Sequence, residues 1–193
     1  MGKRFIVALL LSLLLGLSIP VGAQNYANDT DDEVVQLIEQ QQKPTSSAAT
    51  ASGRGYPFSV SYDSSVWQIL EGPQGSSVEY EFTKHTGVAK IFIEFLPLRI
   101  HYHEVTGLLV AGLYAAGMTN LEVHEAKLLE NNDTLYIAVI FTGTAGGDVE
   151  LMGYVYHYLT QDGMLRITFL TEISEFNDHE KDFDIFFKGI KVH

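Results

Sequence analysis

Residues 134–171 read TLYIAVIFTGTAGGDVELMGYVYHYLTQDGMLRITFLT, and this stretch decides the fold. Apolar side chains recur at alternate positions in three runs, Thr134–Thr142, Val149–Thr160 and Met164–Thr171, which is the period of a β-strand. Gly146-Gly147-Asp148 and Asp162-Gly163 separate the runs, and both are tight-turn sequences. Three strands joined in this way make an antiparallel meander. The first run is apolar on both sides, with Leu135, Ile137, Val139 and Phe141 against Tyr136, Ala138 and Ile140. A central strand covered on both faces is therefore expected.

Working outward, the same period predicts strands at Phe58–Tyr62, Val66–Leu70, Val78–Lys84, Lys90–Leu96 and Leu121–Glu130. Turn residues separate them: Gly72-Pro73 with Gly75, Gly87, and Asn131-Asn132-Asp133. In one of these strands Val78, Tyr80 and Phe82 alternate with Glu79, Glu81 and Thr83, as expected where one face is wet. A helix interrupts the strands between His103 and Met118. Its Val105, Leu108, Leu109, Ala111, Leu113 and Ala116 have few polar neighbours, so a mostly buried helix is expected, stopped by Gly117. A second helix closes the chain, with Phe176, Phe183, Phe186, Phe187 and Ile190 on one stripe and Asp178, Glu180, Lys181, Asp184 and Lys188 opposed to it. The fold class that follows is α+β, an antiparallel sheet flanked by helices on each side as a sandwich.

The chain before Tyr56 has a different texture. Lys3 and Arg4 precede an apolar run from Phe5 to Leu17, Pro20 breaks it, and Val21-Gly22-Ala23 suits a leader peptidase. Residues 1–23 are accordingly expected to be a signal peptide, cleaved after Ala23, since the run falls short of the ~20 residues that span a bilayer. Residues 24–55 are expected to be a flexible acidic and Ser/Thr/Ala-rich tether, with a short helix around Val34–Gln42. Residues 56–193 form the domain. No membrane span is expected once the leader is removed.

Composition narrows the chemistry. The 193 residues include 24 acidic and 12 basic side chains, for a net charge of −12. Nucleic acid is an unsuitable partner for such a surface, because affinity for a phosphate backbone comes largely from lysine and arginine. With no cysteine in the chain, disulfides, thiol catalysis and thiolate metal sites are excluded. His101-x-His103, with Glu104 nearby, is short of the three or four ligands zinc needs, and His124 and His157 complete it only if the fold brings them near. Glu79 and Glu81 share a strand, where carboxylates keep a face wet and discourage edge pairing. The Gly143–Gly147 run lacks the Lys-Ser/Thr ending of a phosphate loop and leads into a strand. No Gly-x-Ser-x-Gly elbow is present. No catalytic residue, metal or cofactor is therefore expected. One feature suggests binding: Tyr154, Tyr156 and Tyr158 lie on one strand face, with Arg166 on the strand across the hairpin. Tyr and Arg are the anchors of binding surfaces, although a helix covering the rings would make them core. Both readings stand.

Several of these segments together resemble the Mog1/PsbP-like domain family, in its exported bacterial branch of unknown function. The resemblance rests on Tyr56-Pro57-Phe58-Ser59-Val60-Ser61-Tyr62-Asp63 followed by Val66-Trp67, and on the mid-domain helix. It continues through Asn132-Asp133 leading into Leu135-Tyr136-Ile137-Ala138, through Gly153–Tyr158 and Asp162–Thr168, and ends on the Phe-rich helix. Asp63-Ser64-Ser65 stands where that family more often has proline. Over residues 56–193 the resemblance implies an α/β/α sandwich. Relatives of this kind are adaptors, among them a photosystem II extrinsic subunit, a binder of a nuclear-transport GTPase, and bacterial envelope and effector-chaperone proteins. Some photosynthetic relatives contact metals, but no matching ligand motif is present here. The expected function is an exported, periplasmic or secreted, non-enzymatic binding or accessory protein with an unidentified protein partner. A small extracytoplasmic hydrolase and a small-molecule or lipid carrier are the alternatives.

Overall fold

Ten strands and two α-helices are found among residues 48–131 and 134–193, which the computed structural model describes. The expected leader, residues 24–47 of the expected tether with its short helix, and the Asn132-Asp133 turn lie outside the described residues. In chain order the elements are β1 (Ala48–Ser52), β2 (Phe58–Asp63), β3 (Trp67–Glu71), β4 (Val78–Lys84), β5 (Lys90–Leu96), α1 (Val105–Ala115), β6 (Thr119–Asn131), β7 (Thr134–Ala145), β8 (Val149–Leu159), β9 (Met164–Glu172), α2 (Phe176–Lys188) and β10 (Ile190–Val192). Seven strands pair in the order β3-β4-β5-β9-β8-β7-β6, and the other three in the order β1-β2-β10. The meander is as read: Ala145 pairs with Val149 across its first turn and Leu159 with Met164 across its second. The other strands read from the sequence are also present.

Alternation along the large sheet gives it two apolar faces, and each is covered. On one face Val105, Leu109 and Leu113 of α1 cluster with Phe92, Val139, Phe141 and Val155. On the other, Phe183 and Phe186 of α2, with Phe58 and Val60 of β2, cluster with Trp67, Phe82, Ile167 and Phe169. The Trp67 ring lies 6.1 Å from that of Phe183 and 5.7 Å from that of Phe186. Burial of each such side chain stabilises by about 1.5–3 kcal/mol, so the two helices are fixed to the sheet by their own stripes. The expected α+β sandwich is what the chain forms.

Four local expectations are corrected. First, Ala48–Ser52 and the loop to Gly55 belong to the fold and not to a tether, since β1 pairs with β2 from Ala48 opposite Asp63 to Ser52 opposite Ser59. The run Ala-Ala-Thr-Ala-Ser has no large apolar side chain and hence no readable period. Second, β7 is next to last in the sheet and not central. Its Ile137, Val139 and Phe141 are buried, while Ala138 and Ile140 on the opposite face are only half-buried. Third, α1 is buried along a single stripe, with Leu108 and Tyr114 exposed. Gly117, at φ +83°, ends it as expected. Fourth, Glu79 is buried. At a register shift in β4 between Val78 and Tyr80, its carboxylate accepts the backbone N–H groups of Arg54 and Gly55.

Candidate functional site

The three tyrosines of β8 face α2. Tyr158 is buried beside Tyr136, with ring centroids 5.4 Å apart, and belongs to the core. Tyr154 and Tyr156 are half-buried. Tyr154 stacks on Phe176 at 5.4 Å, and Tyr156 stacks on Phe187 at 4.1 Å. Between β8 and α2 these pairs leave a slot of about 210 Å³, floored by Phe169 and Phe183 and bordered by Glu180 and Asp184. Asp184 accepts a hydrogen bond from Lys188 at 2.6 Å. Glu180 is exposed and has no ion pair or hydrogen bond among the described residues. Burial, with Tyr136, Tyr154 and Asp184 nearby, raises the Tyr156 hydroxyl pKa to about 12. Burial raises that of Tyr154 as well, reinforced by the Glu180 and Glu125 carboxylates. Both phenols therefore stay neutral donors at ordinary pH.

Arg166 is not part of this surface. Across the second hairpin Tyr156 stands opposite Ile167, and His157 stands opposite Arg166. This puts Arg166 on the α1 face of the sheet. There its guanidinium donates twice to Glu94, Nε to Oε2 at 2.7 Å and an Nη to Oε1 at 2.9 Å. The Glu94 side chain is 4% exposed and that of Arg166 14%, so the pair is a buried fork. Beside it, the Nδ1 of His157 is buried without a hydrogen-bond partner among the described residues. Burial, and then the Arg166 cation, lower the His157 pKa to about 3. Arg166 thus ties β9 to β5 through Glu94, on the face of the sheet away from the slot.

The other polar residues singled out in the sequence do not form a second site. The rings of His101 and His103 stack at 5.5 Å on the surface, and Glu104 accepts the backbone N–H of His101 at 2.9 Å. His124 of β6 pairs with Thr142 of β7 at 2.7 Å. No three of the described His, Asp or Glu residues come together to hold a metal. Glu81 pairs with Lys90, apart from Glu79. Lys84, at the end of β4, donates to Nδ1 of His179 on α2 at 2.8 Å and pairs with Asp182 at 2.6 Å, and Nε2 of His179 donates to Glu175 at 3.2 Å. This chain clamps the β4–β5 hairpin to α2. An open cleft of about 530 Å³ beside the Pro73–Ser77 loop includes Arg54, whose guanidinium is taken up by the carbonyls of Gly72, Val78 and Glu79. No helix among the described residues is long and apolar enough to cross a membrane.

No family model and no curated protein matches the sequence. The solution structure of the cyanobacterial PsbP (CyanoP) of Synechocystis sp. PCC 6803 superposes with a TM-score of 0.59 at 13% identity, covering 78% of this chain and 95% of that one. The Ran-binding protein Mog1p of Saccharomyces cerevisiae superposes with a TM-score of 0.54 at 8% identity, covering 77% and 96%. The chain has the Mog1/PsbP-like fold. On this Mog1/PsbP-like frame the slot is built from the last helix and the Tyr-rich strand. Its α2 wall escaped the sequence reading, which placed Glu180 and Asp184 on a solvent face away from the phenylalanines. The signal was present in the spacing: Phe176, Glu180, Asp184 and Phe187 follow one another by three or four residues and so share a helix edge.

Proposed function

We propose that this chain is an exported, non-enzymatic binding protein that docks a protein partner on the surface formed by β8 and α2. The observation that carries the reading is the half-exposed aromatic slot of Tyr154, Tyr156, Phe176 and Phe187, since aromatic side chains are the anchors that protein interfaces favour. The leader-like residues 1–23 support export to a periplasm or the medium. The acidic composition speaks against a nucleic-acid partner. Mog1p, of the same fold, is by name a Ran-binding protein, which supports protein contact as the mode of action. Arg54, Glu79, Glu94 and Arg166 each serve internal bonds, whereas in the slot carboxylates and phenols border an aromatic floor.

The test is photocrosslinking in the producing cell, with a photoreactive side chain placed at Glu180 or, as a control, at exposed Glu150, in the full chain. The expected outcome is a discrete crosslinked protein from position 180 and none from 150, and the fraction holding it, envelope or medium, identifies the compartment. Equal products from both positions, or none from 180 in either fraction, would remove the docking surface.

A further inference from the structure

The slot is small and acidic at its mouth, and these two properties select its occupant. At about 210 Å³ it falls below the roughly 300–1,000 Å³ of pockets that enclose small-molecule ligands. One side chain fills it. The walls are stacked aromatic pairs, Tyr154 on Phe176 and Tyr156 on Phe187. Ring faces are electron-rich and attract a cation, arginine most often and lysine as well. At the mouth Glu180 has no partner among the described residues, while Asp184 is already compensated by Lys188. The whole chain, at −12, adds a long-range field of the same sign.

We propose that the slot receives a lysine or arginine side chain of the partner protein, its stem between the ring pairs and its charged head at Glu180. This rests on the docking reading above and names the chemistry that the partner presents. Neutral phenols at the rim add hydroxyl groups that an ammonium or guanidinium can donate to. An apolar side chain would bury the same rings but leave the Glu180 charge without a counterpart, so the site discriminates by charge as well as by size.

Chemical-shift titration of the full chain as purified from its producing cells tests this, following the Tyr156 and Phe187 ring signals. The probes are acetyl-Gly-Arg-Gly-amide and acetyl-Gly-Lys-Gly-amide, the matched citrulline and norleucine peptides, and choline. Saturable shifts are expected with the arginine and lysine peptides, at least about tenfold tighter than with the neutral ones, within the range of a desolvated cation–π contact. Glu180→Gln should weaken both cationic peptides about fivefold and leave the unfolding temperature in place, because Glu180 is exposed and unpaired. Equal shifts with citrulline or norleucine would overturn the cation reading while docking survives. Choline binding more tightly than the peptides would reassign the slot to a free organic cation and overturn the proposal. No shift with any probe would overturn it as well. Peptide binding with no crosslink from position 180 would remove the docking reading, and with it the partner named here, while leaving the slot's preference for a cationic side chain in place.

Discussion

His157 and Arg166 share one rung of β8 and β9, and together they make the molecule sensitive to acid. Burial and the neighbouring cation hold the imidazole neutral down to about pH 3, whereas in the unfolded chain it titrates near 6.5. Between those values the unfolded state binds the extra proton, so stability falls as pH falls, by about 1.4 kcal/mol per unit. Replacing His157 with leucine removes that slope and the unpartnered buried Nδ1. In urea unfolding at pH 7 and pH 4.5, the variant should gain about 2 kcal/mol or more on the parent as pH drops. A difference that stays constant with pH would show that the ring is not buried neutral. The same rung explains why Arg166 was legible in its position but not in its company. The hairpin loop runs from Thr160 to Gly163, and a shorter loop of Asp162-Gly163 alone would also set Arg166 against an odd-numbered residue of β8. Residue type groups Arg166 with the tyrosines, and the parity of the strands separates them.

Among the elements, legibility followed contrast. Apart from the misplaced Glu180 and Asp184, the terminal helix shows its buried face because charges mark the other, and α2 packs with Phe183 and Phe186 inward as read. By contrast, α1 has no charged residue from Val105 to Ala115, so nothing in its sequence shows that Leu108 and Tyr114 look outward. The slot required the two helix edges to be told apart, and that depends on how far α2 is rolled on the sheet. Roll is set partly by the Lys84–His179–Glu175 chain, whose members come from distant parts of the sequence. Gly87 makes room for it: at φ +83° a Cβ there would lie 2.9 Å from both Glu175 Oε2 and His179 Nε2. Gly87→Ala should therefore lower stability by about 2 kcal/mol, part from the left-handed backbone and part from the displaced carboxylate and imidazole. Denaturant unfolding measures the loss. A loss of a few tenths of a kcal/mol at most would mean that the hairpin shifts freely and that the clamp does not orient α2.

At the scale of the whole molecule, the two outermost described strands in sequence, β1 and β10, flank the same strand, β2. The three-stranded sheet is thus closed from both ends of the described chain, and Phe58, Val60 and Ile190 bring it onto the core that α2 shares. Residues 48–55 contribute more than the β1 ladder. The Tyr80 hydroxyl donates to the carbonyl of Ser52 at 2.6 Å, Arg54 caps the carbonyls at the start of β4, and the N–H groups of Arg54 and Gly55 satisfy buried Glu79. Cutting the chain at Tyr56, where the texture of the sequence changes, would take these donors from Glu79 and open one edge of β2. Hydrogen bonds to a charged group are worth about 1.5–3 kcal/mol each, so a chain beginning at Tyr56 should be less stable than the full chain by about 4 kcal/mol or more. Glu79→Gln in the full chain keeps the shape and removes the charge, and should cost about 2 kcal/mol. Coincident urea midpoints for the shortened and full chains would return residues 48–55 to the tether. A loss confined to the shortened chain, with Glu79→Gln unchanged, would assign the stability to the β1 ladder and not to the carboxylate.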